Sequence, residues 1–107
     1  MLQLRVLDEA RLEFAEMVRW YQQKQPSLAY DLANEYFACV ERAGEFPKSG
    51  ALVTDIRVEF EVRRFLLNRF PYIVVMACLN DELVVVAVAH QHRRPGYWRK
   101  RLAKVKP

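Results

Sequence analysis

Residues 72–90 read YIVVMACLNDELVVVAVAH, two apolar runs on either side of Asn80-Asp81. Runs rich in Val, Ile and Ala around a two-residue turn predict a β-hairpin, with strands over residues 72–79 and 82–90. Both runs are apolar almost without interruption, so both faces of these strands should be covered. They are therefore expected to be the central strands of a sheet.

A third strand is predicted before this hairpin. From Ile56 to Val62, apolar residues alternate with charged ones, which is the period of a half-buried strand. The phase breaks at Arg63–Arg64, so either a bulge lies there or the strand is shorter than the alternating run. A turn at Asn68–Arg69 connects this strand to the hairpin.

The N-terminal half predicts one short strand and two helices. Alternation predicts a strand at residues 2–7, and apolar residues then recur at helical spacing over residues 8–24, with Asp8 as the N-cap. A second helix begins near Pro26 and ends at Gly44. Since a break of one or two residues separates them, the helices form an antiparallel hairpin. Residues 44–55 are expected to be a loop.

The predicted order is strand, helix, helix and three strands, in a single domain over residues 1–107. Segregated helices and hairpin-connected strands indicate an α+β fold: an N-terminal strand, an antiparallel helical hairpin, then a three-strand antiparallel meander in one sheet. The helical hairpin is expected to cover one face of that sheet. The basic C-terminal segment is the candidate cover for the other face.

Composition excludes several classes of protein. The 107 residues are 52% apolar and 28% charged, which predicts a packed core and not a disordered chain. The longest runs of aliphatic and sulfur-containing residues have seven residues, whereas a membrane span needs about twenty apolar residues, so no membrane partner is expected. The N-terminus has no long apolar stretch of the signal-peptide kind. Two cysteines are too few for a disulfide scaffold, which predicts a reduced, cytoplasmic setting.

The net charge of +4 is unevenly distributed. Residues 1–50 carry six Lys/Arg and eight Asp/Glu (6 − 8 = −2), and residues 51–107 carry eleven and five (11 − 5 = +6). Residues 90–107 contain seven Lys/Arg and no acid. Such a basic terminus favours a polyanionic partner. The alternative is a solvated tail, with Lys104–Pro107 frayed.

The segment His90–Arg101 combines two imidazoles, five cations and two aromatic rings. Arginine and lysine bind phosphate, aromatic rings stack on bases, and histidine transfers protons near neutral pH. The same residue types form protein-binding patches. A structural alternative is that Tyr97 and Trp98 fold the tail onto the sheet. Two histidines without a third ligand predict no metal site, and no cofactor motif is present.

Three stretches carry a resemblance to a known family. They are Phe70-Pro71-Tyr72 entering a strand, the run Val84–Ala89 leading into His90, and Arg93-Arg94-Pro95-Gly96-Tyr97-Trp98. Together they resemble the RelE/ParE superfamily of bacterial type II toxins, in particular its ParE-like, plasmid-stabilisation branch, and the order of elements matches over nearly the whole chain. The resemblance implies a toxin neutralised by a cognate antitoxin, which charge complementarity predicts to be acidic.

The resemblance implies two possible modes of action. ParE-like members poison DNA gyrase and are not hydrolases, and this sequence is closer to their pattern. RelE-like members cleave mRNA on the ribosome without metal, usually with lysines near the second strand, where this chain offers only Lys48. In that mode His90, His92, Arg94 and Tyr97 are the catalytic candidates. A third alternative is a non-toxic, basic nucleic-acid-binding module.

Contacts with the target or the antitoxin are assigned to basic and aromatic residues of the second half. These are Arg63, Arg64, His90, Arg93, Arg94, Tyr97, Trp98, Arg99 and Arg101.

Overall fold

A computed structural model describes residues 2–106, which form one five-stranded sheet in the order β1-β5-β4-β3-β2. The elements are β1 Gln3–Val6, α1 Asp8–Lys24, α2 Pro26–Glu45, β2 Ala51–Leu52, β3 Glu61–Leu66, β4 Tyr72–Cys78 and β5 Glu82–His90, with 3-10 turns at Pro47–Ser49 and Arg99–Lys104. The α+β class and the antiparallel meander β3-β4-β5 are confirmed. Within residues 2–106, no helix is long and apolar enough to cross a membrane.

The hairpin of residues 72–90 lies at the centre of the sheet, as predicted. β4 and β5 pair antiparallel from Tyr72↔His90 to Cys78↔Leu83, with a bulge after Val75. β5 also pairs with β1, and this pairing is parallel. Parallel neighbouring strands need a long crossover connection. The chain between β1 and β5, which includes both helices, forms this connection.

The alternating run from Ile56 is not a strand over most of its length. β3 begins only at Glu61, so the shorter-strand alternative is correct and no bulge lies at Arg63–Arg64. Ile56, Val58 and Phe60 are partly buried against the second face of the sheet. Their alternation therefore reflects one-sided burial of a segment that has no strand partner among residues 2–106.

The loop predicted for residues 44–55 contains a further strand. Ala51–Leu52 pair antiparallel with Arg63–Arg64 and form the edge of the sheet. Two residues are too few to display a strand period, which is why the sequence pattern gave no signal for β2.

The two helices follow their predicted bounds closely. α1 covers residues 8–24, but its N-cap is Leu7, and Asp8 is the first helical residue, where it forms an ion pair with Arg11. α2 begins at Pro26 and continues one residue past Gly44 to Glu45. Gln25 alone, in an extended conformation, separates the helices, so they form the expected antiparallel hairpin.

The sheet has a core on each face. The helical hairpin covers the first, where Leu32, Tyr36 and Met17 pack on β-strand residues including Val74 and Met76. The C-terminal segment covers the second, in a cluster of buried residues formed by Leu7, Val62, Val75, Ala77, Val84, Val86, Ala87, Trp98, Leu102 and Val105. The expected cover for the second face is therefore confirmed.

The end of the chain is packed and tied to the N-terminal elements. Val105 is 0% exposed, Arg5 donates to its carbonyl oxygen, and Lys104 forms an ion pair with Glu9. The predicted fraying of Lys104–Pro107 is therefore wrong for residues 104 and 105. Pro107 lies outside the described residues.

Candidate functional site

The segment after β5 reverses direction within a few residues. Arg93 N–H donates to the carbonyl oxygen of His90 (2.9 Å), and Tyr97 N–H donates to that of Arg94 (3.3 Å). Gly96 has φ +77°, a left-handed conformation that favours glycine. This reversal returns Tyr97 to the body of the protein and leaves residues 90–94, here called the exit loop, at the surface.

A carboxylate of α1 holds the returning segment. Glu13 forms a bidentate ion pair with Arg101 (2.8 and 3.0 Å) and accepts a hydrogen bond from the Tyr97 hydroxyl (2.6 Å). It also accepts from Val88 N–H (3.0 Å), while Arg101 donates to the Val86 carbonyl (3.1 Å). β5 continues past the end of β1, so Glu13 and Arg101 satisfy edge groups of β5 that have no neighbouring strand.

These contacts fix the protonation states of two predicted site residues. Burial, followed by the hydrogen bond to Glu13, raises the pKa of Tyr97. The hydrogen bond to Glu13 is also the largest effect on Arg101 and raises its pKa. At neutral pH, Tyr97 is therefore a neutral donor and Arg101 a cation, both used within the fold.

We expect the free energy of unfolding to fall as the pH rises above about 10. Burial raises the pKa of Tyr36 to about 12, and that of Tyr97 is raised as well. The unfolded chain loses these phenol protons near pH 10, whereas the folded protein retains them, so ionisation favours the unfolded state. Urea denaturation between about pH 8 and pH 11 measures the slope.

Three variants, each with one tyrosine replaced by phenylalanine, separate the effect of phenol ionisation from general alkaline instability. Tyr36→Phe and Tyr97→Phe should each flatten the slope, because each removes one phenol proton that only the folded protein retains. Tyr30 is 71% exposed, so Tyr30→Phe should leave the slope unchanged. Equal slopes in all four proteins would contradict the assignment.

Other predicted contact residues also face inward or are paired. Trp98 is only 5% exposed and belongs to the second core. The Arg63 guanidinium donates to the Gly50 carbonyl (2.7 Å) and pairs with Glu61 (3.1 Å). Arg99 forms an ion pair with Asp55. Tyr97 and Trp98 therefore fold the tail onto the sheet, as the structural alternative for these two residues predicts.

Four predicted residues of the exit loop remain at the surface: His90, His92, Arg93 and Arg94. The rings of His90 and His92 stack 5.1 Å apart, and His92 N–H donates to Nδ1 of His90 (3.1 Å). Arg93 lies over the ring of Tyr97, 4.0 Å from its centre. Arg94 is exposed and, among residues 2–106, has no carboxylate partner. The loop thus presents two imidazoles and two guanidinium groups together.

Arg64 is exposed but not part of this group. It lies in β3, which β4 separates from β5.

Across residues 2–106, no three His, Cys, Asp or Glu side chains converge as metal ligands. The exposed guanidinium groups of Arg93 and Arg94 allow the exit loop to bind anions or a protein surface.

Sequence reasoning missed Glu13, although a signal was present. Glu13 lies three residues after Ala10 and four before Met17, both buried residues of α1. A carboxylate within the apolar stripe of a helix needs a buried partner. The partner could not be identified, because Arg101 lies 88 residues away along the chain.

Comparisons with known proteins agree with the fold. The model of a protein family described as "ParE toxin of type II toxin-antitoxin system, parDE" matches residues 4–95. A solved structure titled "Chromosomal ParDE TA system from P. aeruginosa" is similar with a TM-score of 0.67 and 18% identity, over 84% of this chain and 96% of that chain. At that identity the likeness concerns the fold. No curated protein sequence matches.

Proposed function

The chain belongs to the ParE toxin family of type II toxin–antitoxin systems, and from this membership we propose that a cognate antitoxin neutralises it and that the free protein acts on DNA gyrase. The observation that carries the proposal is the extent of the family match, which spans residues 4–95. It includes β1 from Leu4 onward, the other four strands, both helices and the exit loop.

The exit loop is the surface that we propose for the gyrase contact. Arginine is enriched among residues that dominate binding energy at protein interfaces. Arg93 and Arg94 are exposed there, whereas Tyr97, Trp98 and Arg101 are used within the fold. Among the candidate contacts, His90, Arg93 and Arg94 therefore have side chains that a large partner can reach without unfolding the segment.

The antitoxin is proposed to be acidic. The toxin carries a net charge of +4, and charge complementarity speeds association and selects partners.

The outer surface of the helical hairpin also exposes large apolar side chains that a partner would cover, since soluble proteins rarely leave such patches open. They are Leu12, Trp20, Tyr30 and Phe37, each more than half exposed.

A supercoiling assay tests the proposed target. Purified protein added to gyrase, ATP and relaxed plasmid should inhibit supercoiling, and the antitoxin should restore it. Full supercoiling in the presence of folded, antitoxin-binding protein would contradict gyrase as the target.

The stacked His90–His92 pair beside two arginines favours a second candidate, ribosome-dependent mRNA cleavage. Imidazoles can remove the 2′-hydroxyl proton and protonate the leaving oxygen, and guanidinium groups can stabilise the phosphorane. Tyr97, a catalytic candidate for this mode, is instead bound to Glu13. Primer extension on translated mRNA decides: new cleavage sites after induction would support this function, and intact transcripts would exclude it.

Arg94→Ala is expected to weaken gyrase inhibition by about tenfold, the usual effect of losing a strong interface contact. The inhibitor concentration that halves supercoiling measures it. Arg57→Ala is the matched control, because Arg57 is also exposed and has no carboxylate partner among residues 2–106. Both variants lose one positive charge, so equal weakening would show that only net charge matters and would contradict a specific contact at the exit loop.

A further inference from the structure

A chain of contacts connects helix α1 to the exit loop through one aromatic ring. The Tyr97 hydroxyl donates to Glu13 (2.6 Å), and two guanidinium groups lie over the Tyr97 ring. That of Arg93 is 4.0 Å from the ring centre and that of Arg101 is 5.0 Å from it. Cations at these distances are attracted to the face of a phenol ring. The position of Arg93 is therefore coupled to the position of Tyr97.

Glu13 accepts the hydrogen bond of that ring's hydroxyl group. Each of its carboxylate oxygens accepts two hydrogen bonds: Oε1 from Val88 N–H and Arg101, Oε2 from Tyr97 and Arg101. The Glu13 side chain is only 13% exposed, so little solvent competes for these bonds. With four donors in place, the carboxylate has one orientation, and the Tyr97 hydroxyl has one acceptor.

Arg93 has no comparable anchor of its own. Among residues 2–106 it has no carboxylate partner, and the Tyr97 ring is the group that its guanidinium stacks on. We propose that Glu13 is a positioning residue: acting through Tyr97, it sets the orientation of Arg93 in the exit loop before any target is bound. Preorganisation of this kind lowers the entropic cost of binding.

The geometric part of this inference is tested on the isolated protein, independently of the target. The ring current of Tyr97 should shift the side-chain protons of Arg93 upfield in the NMR spectrum of the labelled full-length chain. Tyr97→Phe keeps the ring but removes its hydrogen bond to Glu13, and Glu13→Gln weakens the acceptor; each should reduce the Arg93 shift by at least about half. Tyr30→Phe, at an exposed phenol of α2, is the control and should leave it unchanged. An undiminished Arg93 shift in folded Tyr97→Phe would overturn the proposal.

The functional part rests on the proposed action on gyrase. Tyr97→Phe should weaken inhibition by about threefold to tenfold when Arg93 is present, and should have no further effect when combined with Arg93→Ala. A merely structural role for the hydroxyl predicts the same loss in both backgrounds, and that result would overturn the positioning role. If the unaltered protein does not inhibit gyrase, the proposed function fails alone, and the Arg93 proton shifts decide the inference.

Discussion

Replacing Trp98 with alanine is expected to lower the free energy of unfolding by about 3–5 kcal/mol. Trp98 is 5% exposed and packs with Leu102 and Val105 on the second face of the sheet. The truncation leaves a cavity and weakens the attachment of the whole segment, which packs in the same buried cluster as Val84 and Val86. Such a loss is a large fraction of the roughly 5–15 kcal/mol that stabilises a small domain.

Urea denaturation measures this loss, and the second tryptophan provides the control. Trp20 lies on α1 and is 52% exposed, so Trp20→Ala removes a side chain of the same size from a surface position. Its effect should remain below about 1 kcal/mol. Equal losses at both positions would contradict the assignment of the C-terminal segment to the core.

Replacing Glu13 with alanine is expected to cost about 3–5 kcal/mol, because it leaves a largely buried cation without its partner. Arg101 is 16% exposed in its side chain and, within residues 2–106, would keep one hydrogen bond, to the Val86 carbonyl, and its contact with the Tyr97 ring. Tyr97 and Val88 N–H would lose an acceptor in the same step. Chemical denaturation at neutral pH measures the change.

Two further variants test the cause of that loss. Glu16→Ala removes an exposed carboxylate one turn further along α1 and should change stability by less than about 0.5 kcal/mol. The double variant Glu13→Leu/Arg101→Met removes both charges together and should be more stable than Glu13→Ala, since no unpaired charge remains. A double variant as unstable as Glu13→Ala would show that the loss comes from packing and not from an unpaired charge.

The parts of the fold that depend on neighbouring residues in the sequence were predictable. The central hairpin and both helices follow from apolar periods within single segments, and their bounds agree to within one or two residues. The exceptions depend on partners far along the chain. The run from Ile56 has a strand period but, in the part of the chain that the structure describes, meets no partner strand before Glu61. Ala51–Leu52 becomes a strand because Arg63–Arg64 lies beside it.

The candidate site, like the fold, depends partly on residues close together in the sequence and partly on partners far along the chain. Composition predicted a candidate site in the segment after β5, but it could not show which of the segment's side chains point inward. Tyr97 and Arg101 point inward because both bind Glu13 on α1, which lies 84 and 88 residues earlier in the chain. Trp98 points inward because the second face of the sheet is apolar. The left-handed turn at Gly96 then separates these residues from Arg93 and Arg94, which stay exposed.

The proposed action on gyrase through the exit loop is tested most directly by the accumulation of cleaved DNA with purified gyrase. The unaltered protein should produce linear plasmid in a dose-dependent manner. The double variant Arg93→Ala/Arg94→Ala should produce little, while keeping its fold and its affinity for the antitoxin. Cleaved DNA that is absent with the unaltered protein, or equally abundant with the double variant, would contradict the account.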